Sequence, residues 1–185
     1  MFNNFSIIKT PFKDLLILSH HTFNDNRGSF VKLYSDNFFL KKKIRICQVN
    51  YSFNKKKGTI RGMHYQVGRY AEEKIVCCIK GKMLDVVIDL RKNSKTYLKF
   101  FRILLSPKFN RSLFIPKGFA HGFQTLDDNT EIIYLHSKNH NKRYERTINS
   151  FDPKINIKWP ITKTILSNKD RRHEFLNNNF RGFSV

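Results

Sequence analysis

Short runs in which apolar and polar residues alternate constrain the fold of this sequence more than any other feature. In residues 82–90, every second side chain is apolar and lies on one face of an extended strand: Leu84, Val86, Ile88 and Leu90. Comparable short runs recur at residues 15–18, 29–34, 45–53, 59–66, 74–79, 100–105, 113–115, 122–126 and 131–136. Turn-forming Gly, Pro, Asn and Asp residues separate them. Many short strands at this spacing are typical of an all-β sandwich or jelly-roll barrel.

Helical patterns are few and short. Residues 36–43 are long enough for one or two helical turns, and residues 167–175 begin with Ser167 as a candidate N-cap and Asp170 three positions later. A chain of 185 residues can fill one hydrophobic core. Because the sequence shows no internal repeat, linker or low-complexity segment, we predict one domain over residues 1–185.

The chain is strongly basic, with 35 Lys and Arg residues against 14 Asp and Glu residues and a formal net charge of +21. Such a charge attracts polyanions, so nucleic acid and anionic membrane surfaces come into consideration. The basic runs at residues 41–43 and 55–57 fall in predicted turns, however, and no nucleic-acid-binding motif accompanies them. We therefore expect a compositional bias spread over the surface, no nucleic-acid partner, and compatibility with a small anion such as a diphosphate.

The cysteines and the N-terminal residues bear on the cellular compartment. None of the three cysteines, Cys47, Cys77 and Cys78, is spaced like a pair of metal ligands, and we expect all three to be reduced. The N-terminal residues show no secretion signal, and no stretch approaches the roughly 18 apolar residues of a membrane helix. The sequence therefore predicts a cytoplasmic protein without membrane insertion.

Two histidines and a lysine occur within a spaced pattern of glycine and proline: Gly58, His64, Lys74, Gly81, Pro116, Gly118 and His121. The pattern resembles the two-part cupin motif, in which three His and one Glu hold a metal ion at the mouth of a jelly-roll barrel. Here Gln66 and Lys74 stand at the second His position and at the Glu position. Because an ammonium group repels a cation, we expect a cupin-like barrel with no metal and no cofactor.

The imidazoles of His64 and His121, together with the ammonium of Lys74, suit the abstraction of a proton next to a carbonyl group. A neutral imidazole accepts the proton, and a cation stabilises the enolate oxygen that develops. A single histidine would more often be an ordinary core residue, but two of them in register with a lysine favour a catalytic site.

Seven strings resemble the dTDP-4-dehydrorhamnose 3,5-epimerase family in order and spacing: RGSF at residues 27–30, QVNYS at 48–52, IRGMHYQ at 60–66, DVVIDLR at 85–91, IPKGFAHGF at 115–123, IKWP at 157–160 and LSNKD at 166–170. The resemblance implies an all-β, cupin-like jelly-roll barrel (a double-stranded β-helix) with a few short helices. It also implies an epimerase that inverts carbons 3 and 5 of a nucleotide-linked 4-keto-6-deoxyhexose by general acid/base proton transfer. Such an enzyme would need no cofactor, would form a homodimer and would feed a deoxysugar pathway for surface polysaccharide.

The resemblance also assigns roles to single residues. His64 matches the family's general base, Asp170 the carboxylate that orients it, and Tyr134 the general acid on the other side of the sugar ring. Lys74 matches the residue that holds the 4-keto oxygen. Positions that match substrate contacts, including a second His–Asp pair near the keto oxygen, are Arg27, Phe30, Lys32, Gln48, Asn50, Arg61, Asp85, His121, His140, Glu145 and Lys169.

The sequence departs from the family around the nucleotide base. Lys32 stands where the family usually has a Glu close to the thymidine, and Asn139 and His140 stand where it usually has aromatic residues. An ammonium in place of a carboxylate turns a hydrogen-bond acceptor into a donor. Two interpretations stay open: either a different base is bound, or Lys32 points to solvent and dTDP is retained.

Arg61 and His64 pose a geometric difficulty, because residues three apart on a straight strand face opposite sides. One solution is a bulge at Gly62 that redirects one of the two side chains. The other is that Arg61 faces the site of a neighbouring subunit, since the family is described as a dimer that exchanges strands.

Three other functions also stay open. The same base would serve an enzyme that inverts carbon 3 alone or isomerises the keto group, on dTDP or on another nucleotide. A non-catalytic, cupin-like anion-binding protein would need neither Tyr134 nor a His64–Asp170 pair. A metal-dependent cupin enzyme is opposed by Gln66 and Lys74.

Overall fold

The computed structural model describes residues 5–35 and 44–184. These residues form thirteen strands: β1 Phe5–Lys9, β2 Leu16–His20, β3 Thr22–Asp25, β4 Gly28–Val31, β5 Gln48–Asn54, β6 Ile60–Gln66, β7 Lys74–Lys80, β8 Met83–Asp89, β9 Phe100–Leu105, β10 Arg111–Ile115, β11 Phe119–Thr125, β12 Thr130–His136 and β13 Glu145–Thr147. They also form two 3₁₀ turns, Gly68–Tyr70 and Pro107–Phe109, and one α-helical turn, α1 (Asn168–Arg171). The helix predicted at residues 36–43 lies outside the described residues. In the described part of the chain, no helix is long and apolar enough to cross a membrane.

Most of the strands belong to two antiparallel sheets that pack face to face. One sheet has six strands in the order β1-β2-β10-β7-β12-β5, and the other has five in the order β13-β6-β11-β8-β9. Buried side chains from both sheets meet in the core between them: Val76, Val87, Leu113, Phe123 and Ile132. Two antiparallel sheets around one core are the jelly-roll architecture, and the predicted all-β, cupin-like fold is confirmed.

Strand β8 is buried on both of its faces. The predicted apolar face, with Leu84, Val86 and Ile88, packs beneath the C-terminal segment that carries Ile157 and Trp159. Val87 on the opposite face joins the core between the sheets. Because side chains two apart share a face, Asp85 points to the same inner side as Val87, which carries a carboxylate into the barrel.

Ser167 begins the short helical turn that carries Asp170. The Ser167 hydroxyl accepts a hydrogen bond from the Asp170 backbone N–H at 3.0 Å, so the predicted N-cap is present. The helix it begins ends at Arg171 and not at residue 175 as the pattern predicted. The sequence patterns also did not predict the short strands β1, β3 and β13.

Gly62 lies at an irregularity between β6 and β11. His64 pairs with His121 and Arg61 pairs with Phe123, so β6 fits three steps against two steps of β11. A Cβ atom on Gly62 would lie 2.5 Å from the backbone of Gly122, and its φ of +128° also favours glycine. This is the predicted bulge, and it turns Arg61 and His64 towards the same cleft.

Candidate active site

A cleft of about 550 Å³ opens between the two sheets at one end of the barrel. Strands β5, β7 and β12 of the six-stranded sheet form one wall, and β6 and β11 of the five-stranded sheet form the other. The C-terminal turn α1 closes one side. Predicted site residues that line this cleft are Gln48, Asn50, Arg61, His64, Lys74, His121, Tyr134, His140, Glu145 and Asp170.

His64 and Asp170 form a hydrogen-bonded pair at the cleft surface. Nε2 of His64 lies 2.8 Å from Oδ1 of Asp170, and about a third of the His64 side chain is exposed while that of Asp170 is buried. Burial raises the pKa of the Asp170 carboxyl, but the hydrogen bond and charge of His64, with the Ser167 hydroxyl, outweigh it and hold that pKa below its ordinary value. The carboxylate therefore accepts a hydrogen bond from Nε2–H, which leaves the lone pair of a neutral imidazole on Nδ1.

His121 and Asp85 form a second pair deeper in the barrel. Nε2 of His121 lies 2.6 Å from Oδ1 of Asp85, and both side chains are buried. Burial raises the pKa of Asp85, although the charge and hydrogen bond of His121 act against that shift. Asp85 lies beneath His121 and does not line the cleft, so the structure places it as the support of His121.

Tyr134 lies on the wall opposite His64. It pairs with Asn50 across the β12–β5 ladder, and its ring centroid lies 6.1 Å from that of His121. Burial raises the pKa of Tyr134 far above its ordinary value, and the nearby Asp85 charge adds to that shift. The phenol therefore stays protonated at neutral pH, which is the form that a general acid needs.

Lys74 points into the same cleft and contacts Glu72, which in turn contacts His136; the sequence patterns singled out neither of these two residues. Its Nζ lies 3.1 Å from Oε1 of Glu72, and Oε2 of Glu72 lies 2.9 Å from Nδ1 of His136. Glu72 and His136 both line the cleft. Glu72 stands two residues before Lys74 and His136 two residues after Tyr134. Spacing along the sequence does not single them out, because Glu72 precedes β7 and its contact with His136 depends on strand register.

Polar side chains surround the cleft mouth. The Gln48 Oε1 accepts a hydrogen bond from the His140 backbone N–H at 2.9 Å, and Nε of Arg61 donates to Oδ1 of Asn54 at 2.8 Å. Glu145 lines the cleft, whereas Lys169 lies just outside and contacts Glu145 Oε2 through its Nζ at 2.7 Å. Together they give the mouth a polar rim that carries charges of both signs.

Three predicted substrate contacts lie elsewhere in the chain. Arg27 and Phe30 sit on the β3–β4 hairpin, which forms a separate two-stranded sheet, and Lys32 follows it. The Arg27 side chain is 90% exposed and pairs with Asp25 at 2.6 Å, Phe30 is 60% exposed, and Lys32 is exposed as well. Within one chain, the structure does not bring these residues to the cleft.

The side chains at the cupin ligand positions do not suit a resident metal ion. The Gln66 Oε1 accepts a hydrogen bond from the Asn141 backbone N–H at 2.7 Å, and the Lys74 ammonium is paired with Glu72. Over residues 5–35 and 44–184, no group of three or more His, Cys, Asp or Glu side chains is arranged to hold a metal ion. The donor set fits acid–base chemistry better than metal ligation.

Comparisons with known proteins agree with this geometry. A sequence model described as dTDP-4-dehydrorhamnose 3,5-epimerase matches residues 9–178. The Shigella flexneri dTDP-4-dehydrorhamnose 3,5-epimerase is 40% identical over 168 residues, which cover 89% of this chain and 92% of the relative.

Two crystal structures superpose closely on more than nine-tenths of the chain. The dTDP-4-dehydrorhamnose 3,5-epimerase of Bacillus anthracis, with TDP and PPi bound, has a TM-score of 0.89 at 34% identity and covers 93% of this chain and 99% of its own. The Legionella pneumophila dTDP-6-deoxy-D-glucose-3,5-epimerase, in complex with dTDP-4-keto-L-rhamnose, has a TM-score of 0.90 at 30% identity and covers 98% and 100%. The chain belongs to the dTDP-4-dehydrorhamnose 3,5-epimerase family.

Proposed function

We propose that the chain is a 3,5-epimerase that acts on a dTDP-linked 4-keto-6-deoxyhexose in deoxysugar biosynthesis. One observation carries the proposal: His64, oriented by Asp170, and the protonated Tyr134 lie on opposite walls of one cleft that also contains Lys74. Family membership supplies the substrate class. A simple anion-binding protein would need no such acid–base arrangement across the cleft.

The geometry suggests how each carbon is inverted. Nδ1 of His64 removes the proton from a carbon next to the 4-keto group, and the electron pair of that C–H bond moves into the carbonyl to give an enolate. The Lys74 ammonium stabilises the negative oxygen. Tyr134 then returns its own proton to the opposite face of the same carbon. One cycle leaves His64 protonated and Tyr134 as a phenolate, so both exchange protons with solvent before the next inversion.

No metal or organic cofactor enters these steps. The substrate's own ketone accepts the electron pair, and the proton moves between protein side chains and water. The buried His121–Asp85 pair faces the region of Lys74 and Tyr134 and would contribute a fixed imidazole near the keto oxygen.

The rim of the cleft supports binding of a nucleoside diphosphate. Arg61 offers a guanidinium to phosphate oxygens, and Gln48 and Asn50 offer amide groups. Lys169 adds a positive charge beside the opening. We assign the diphosphate to this rim and the sugar to the deeper part of the cleft.

A homodimer would supply the residues that one chain leaves away from its cleft. Strand β5 is the last strand of its sheet among the described residues, and it exposes three large apolar side chains: Val49, Tyr51 and Phe53. Exposed apolar strands at a sheet edge favour pairing with another chain. We propose that a second copy covers this edge and carries Arg27, Phe30 and Lys32 on its hairpin towards the neighbouring cleft.

The cysteines support a cytoplasmic location. Cys47, Cys77 and Cys78 are all unpaired thiols, and burial raises the pKa of the Cys77 thiol to about 11. Reduced cysteines are usual in a reducing compartment. We therefore place the enzyme in the cytoplasm.

The test is to incubate the protein with dTDP-4-keto-6-deoxyglucose in deuterated water and to follow deuterium entry by NMR. Deuterium at carbons 3 and 5, with formation of the inverted sugar, supports the proposal. Deuterium at carbon 3 alone identifies a narrower epimerase. If no deuterium enters this substrate but it does enter another nucleotide-linked 4-keto sugar, the assignment of the base is wrong. A full panel without exchange contradicts the catalytic role.

A further inference from the structure

Glu72 is a buried carboxylate in the cleft that the proton-transfer steps do not use. It is only 9% exposed, and its two oxygens are divided between two partners. Oε1 lies 3.1 Å from the Lys74 Nζ, and Oε2 lies 2.9 Å from Nδ1 of His136. A buried carboxylate needs such partners to remain charged.

The strand register explains why these groups meet. His136 on β12 lies directly opposite Lys74 on β7, and Gln48 on β5 lies opposite His136 from the other side. Glu72 lies two residues before the start of β7, and its Oε1 contacts the Lys74 Nζ within the cleft. On β5, Asn50 points to the same side as Gln48, because side chains two apart share a face. All of these side chains therefore belong to one wall of the cleft.

The hydrogen bonds on this wall all lead to Glu72, which accepts from both ends of the hydrogen-bond chain. The Glu72 carboxylate can only accept, so Nδ1 of His136 donates to it. In a neutral imidazole Nε2 then keeps its lone pair, and it accepts from the Asn50 amide, 3.2 Å away. The Asn50 Oδ1 accepts in turn from the Gln48 amide at 2.9 Å. A continuous chain of hydrogen bonds connects Gln48 to the Lys74 ammonium.

The charge on Glu72 is maintained inside the protein. Burial raises the pKa of the Glu72 carboxyl, but the hydrogen bond from His136 and the charge of Lys74 outweigh that effect and hold the pKa below its ordinary value. At neutral pH the pair is thus a carboxylate and an ammonium in contact. The ammonium has little freedom, since its side chain is 13% exposed.

We propose that Glu72 and His136 are positioning residues for Lys74. Glu72 fixes the ammonium at the place where the keto oxygen becomes negative, and His136 ties Glu72 to Asn50 and Gln48 on the diphosphate side of the cleft. Substrate binding and the alignment of Lys74 are thereby linked through one rigid wall. This inference rests on the proposed epimerase function.

The first test is Glu72→Gln, which keeps the shape of the side chain. The Gln Oε1 can still accept from His136, but its NH₂ group cannot accept from an ammonium. We expect kcat to fall by about 10- to 100-fold, the range for a misplaced charge-stabilising group, with KM changed by less than about threefold. Glu73→Gln is the matched control, because the Glu73 carboxylate contacts Lys117 and accepts from the Ser137 hydroxyl, and it does not line the cleft. It should leave kcat unchanged.

A double-mutant cycle distinguishes positioning from a general structural role. If Glu72 acts through Lys74, adding Glu72→Gln to Lys74→Met should lower kcat by less than about threefold further. An equal loss in both backgrounds would contradict the proposal. The positioning role would also be contradicted if Glu72→Gln kept the wild-type kcat and the wild-type midpoint of thermal unfolding.

The second test needs no turnover. In ¹⁵N NMR spectra of the wild type, the His136 ring should carry its proton on Nδ1, and this should persist in Glu72→Gln but be lost in Glu72→Ala. His136→Asn, whose amide can still donate to Glu72, should retain more kcat than His136→Leu. A proton on Nε2 in the wild type would overturn the hydrogen-bond chain.

The wild-type enzyme separates the two proposals. A wild type that exchanges no deuterium with dTDP-4-keto-6-deoxyglucose or with any other nucleotide-linked 4-keto sugar contradicts the proposed function, and with it the role of Glu72. A wild type that exchanges, beside a Glu72→Gln variant with the same kcat, contradicts the role of Glu72 alone.

Discussion

The two His–Asp pairs of the cleft are chemically identical but lie in different surroundings. His121 and Asp85 come from adjacent strands, β11 and β8, and are both buried. His64 is partly exposed, and its partner Asp170 comes from a four-residue helical turn 106 positions later in the chain. The difference suggests a division of labour: a rigid, dry pair suits a fixed electrostatic contact, whereas a pair with access to water suits repeated proton exchange.

The largest expected effect would separate the two histidines. His64→Ala removes the proposed base, so deuterium exchange at both carbons should fall by about 10⁴-fold, the upper range for general-base catalysis. His121→Ala removes the proposed contact to the developing oxygen and should reduce exchange by about 100-fold. Both rates are measured by NMR in deuterated water, with calorimetric dTDP affinity as the control for an intact cleft. Equal losses would show that the two pairs do not differ in role.

The two carboxylates, Asp170 and Asp85, should likewise differ in how far their replacement lowers kcat. Asn at position 170 can donate its amide proton to Nε2 of His64, which moves the ring proton to Nδ1 and removes the basic lone pair. We expect Asp170→Asn to lower kcat by about 100- to 1000-fold, somewhat less than the loss that tautomer reversal causes in serine proteases. Asp85→Asn should lower kcat by about tenfold, since charge support and not the base is lost. Steady-state kinetics of the two variants, with ¹⁵N spectra of the His64 ring, check both expectations.

Tyr134 tests whether the two walls act on opposite faces of the sugar. Tyr134→Phe removes the proposed acid but leaves His64 and Lys74 in place, so exchange should continue at about a tenth of the wild-type rate. Inversion should fall by about 100-fold, because the proton can return only from the face it left. The NMR coupling constants of the product sugar report inversion directly. Full epimerisation by this variant would exclude Tyr134 as the acid.

The residue pattern alone predicted the strands of the barrel and the two histidines, but not the carboxylates with which they pair. The alternation of apolar and polar residues revealed β8 and β12, because a period of two can be read directly along the sequence. The spacing of His64 to His121 predicted the barrel and the position of Lys74. Which side chains meet across strands depends on register, and a single sequence carries no direct record of it. Glu72 and His136 were missed for that reason.

Contacts between distant segments were predictable only through the family resemblance. Nothing local to Asp170 indicates that its carboxylate reaches His64, since the pattern there predicts only a capped helix. Arg27 and Phe30 were expected at the site, but they lie on a hairpin away from the cleft of their own chain. Their assignment as substrate contacts stays a prediction that depends on the proposed dimer.

The two carboxylates should leave opposite signatures in the pH dependence of stability. A carboxyl with a raised pKa in the folded state, such as Asp85, contributes stability below the unfolded value of about 3.9 and loses it as the pH rises through the raised pKa. A carboxyl with a lowered pKa, such as Asp170, contributes its stability above about 3.9 and loses it as the pH falls through the lowered pKa.

Urea unfolding at a series of pH values measures this difference. The stability gap between the wild type and Asp170→Asn should be widest at neutral pH and should close in acid. Asp85→Asn should gain stability relative to the wild type as the pH rises from acid towards neutrality. If the stability difference from the wild type changed with pH in the same direction for both variants, the contrast between the two pairs would be contradicted.

The smallest expected effect concerns the support of the more exposed pair. One helical turn is not stable by itself, so the Ser167 hydroxyl that accepts the Asp170 N–H helps to keep Asp170 beside His64. Ser167→Ala should remove about 1 kcal/mol of local stability, which increases the open population of the turn about fivefold. Faster hydrogen exchange of the Asp170 amide should accompany a small fall in kcat, and Ser167→Thr should restore both. If Ser167→Ala shifted the His121 resonances as much as those of His64, the two pairs would be coupled and not independent.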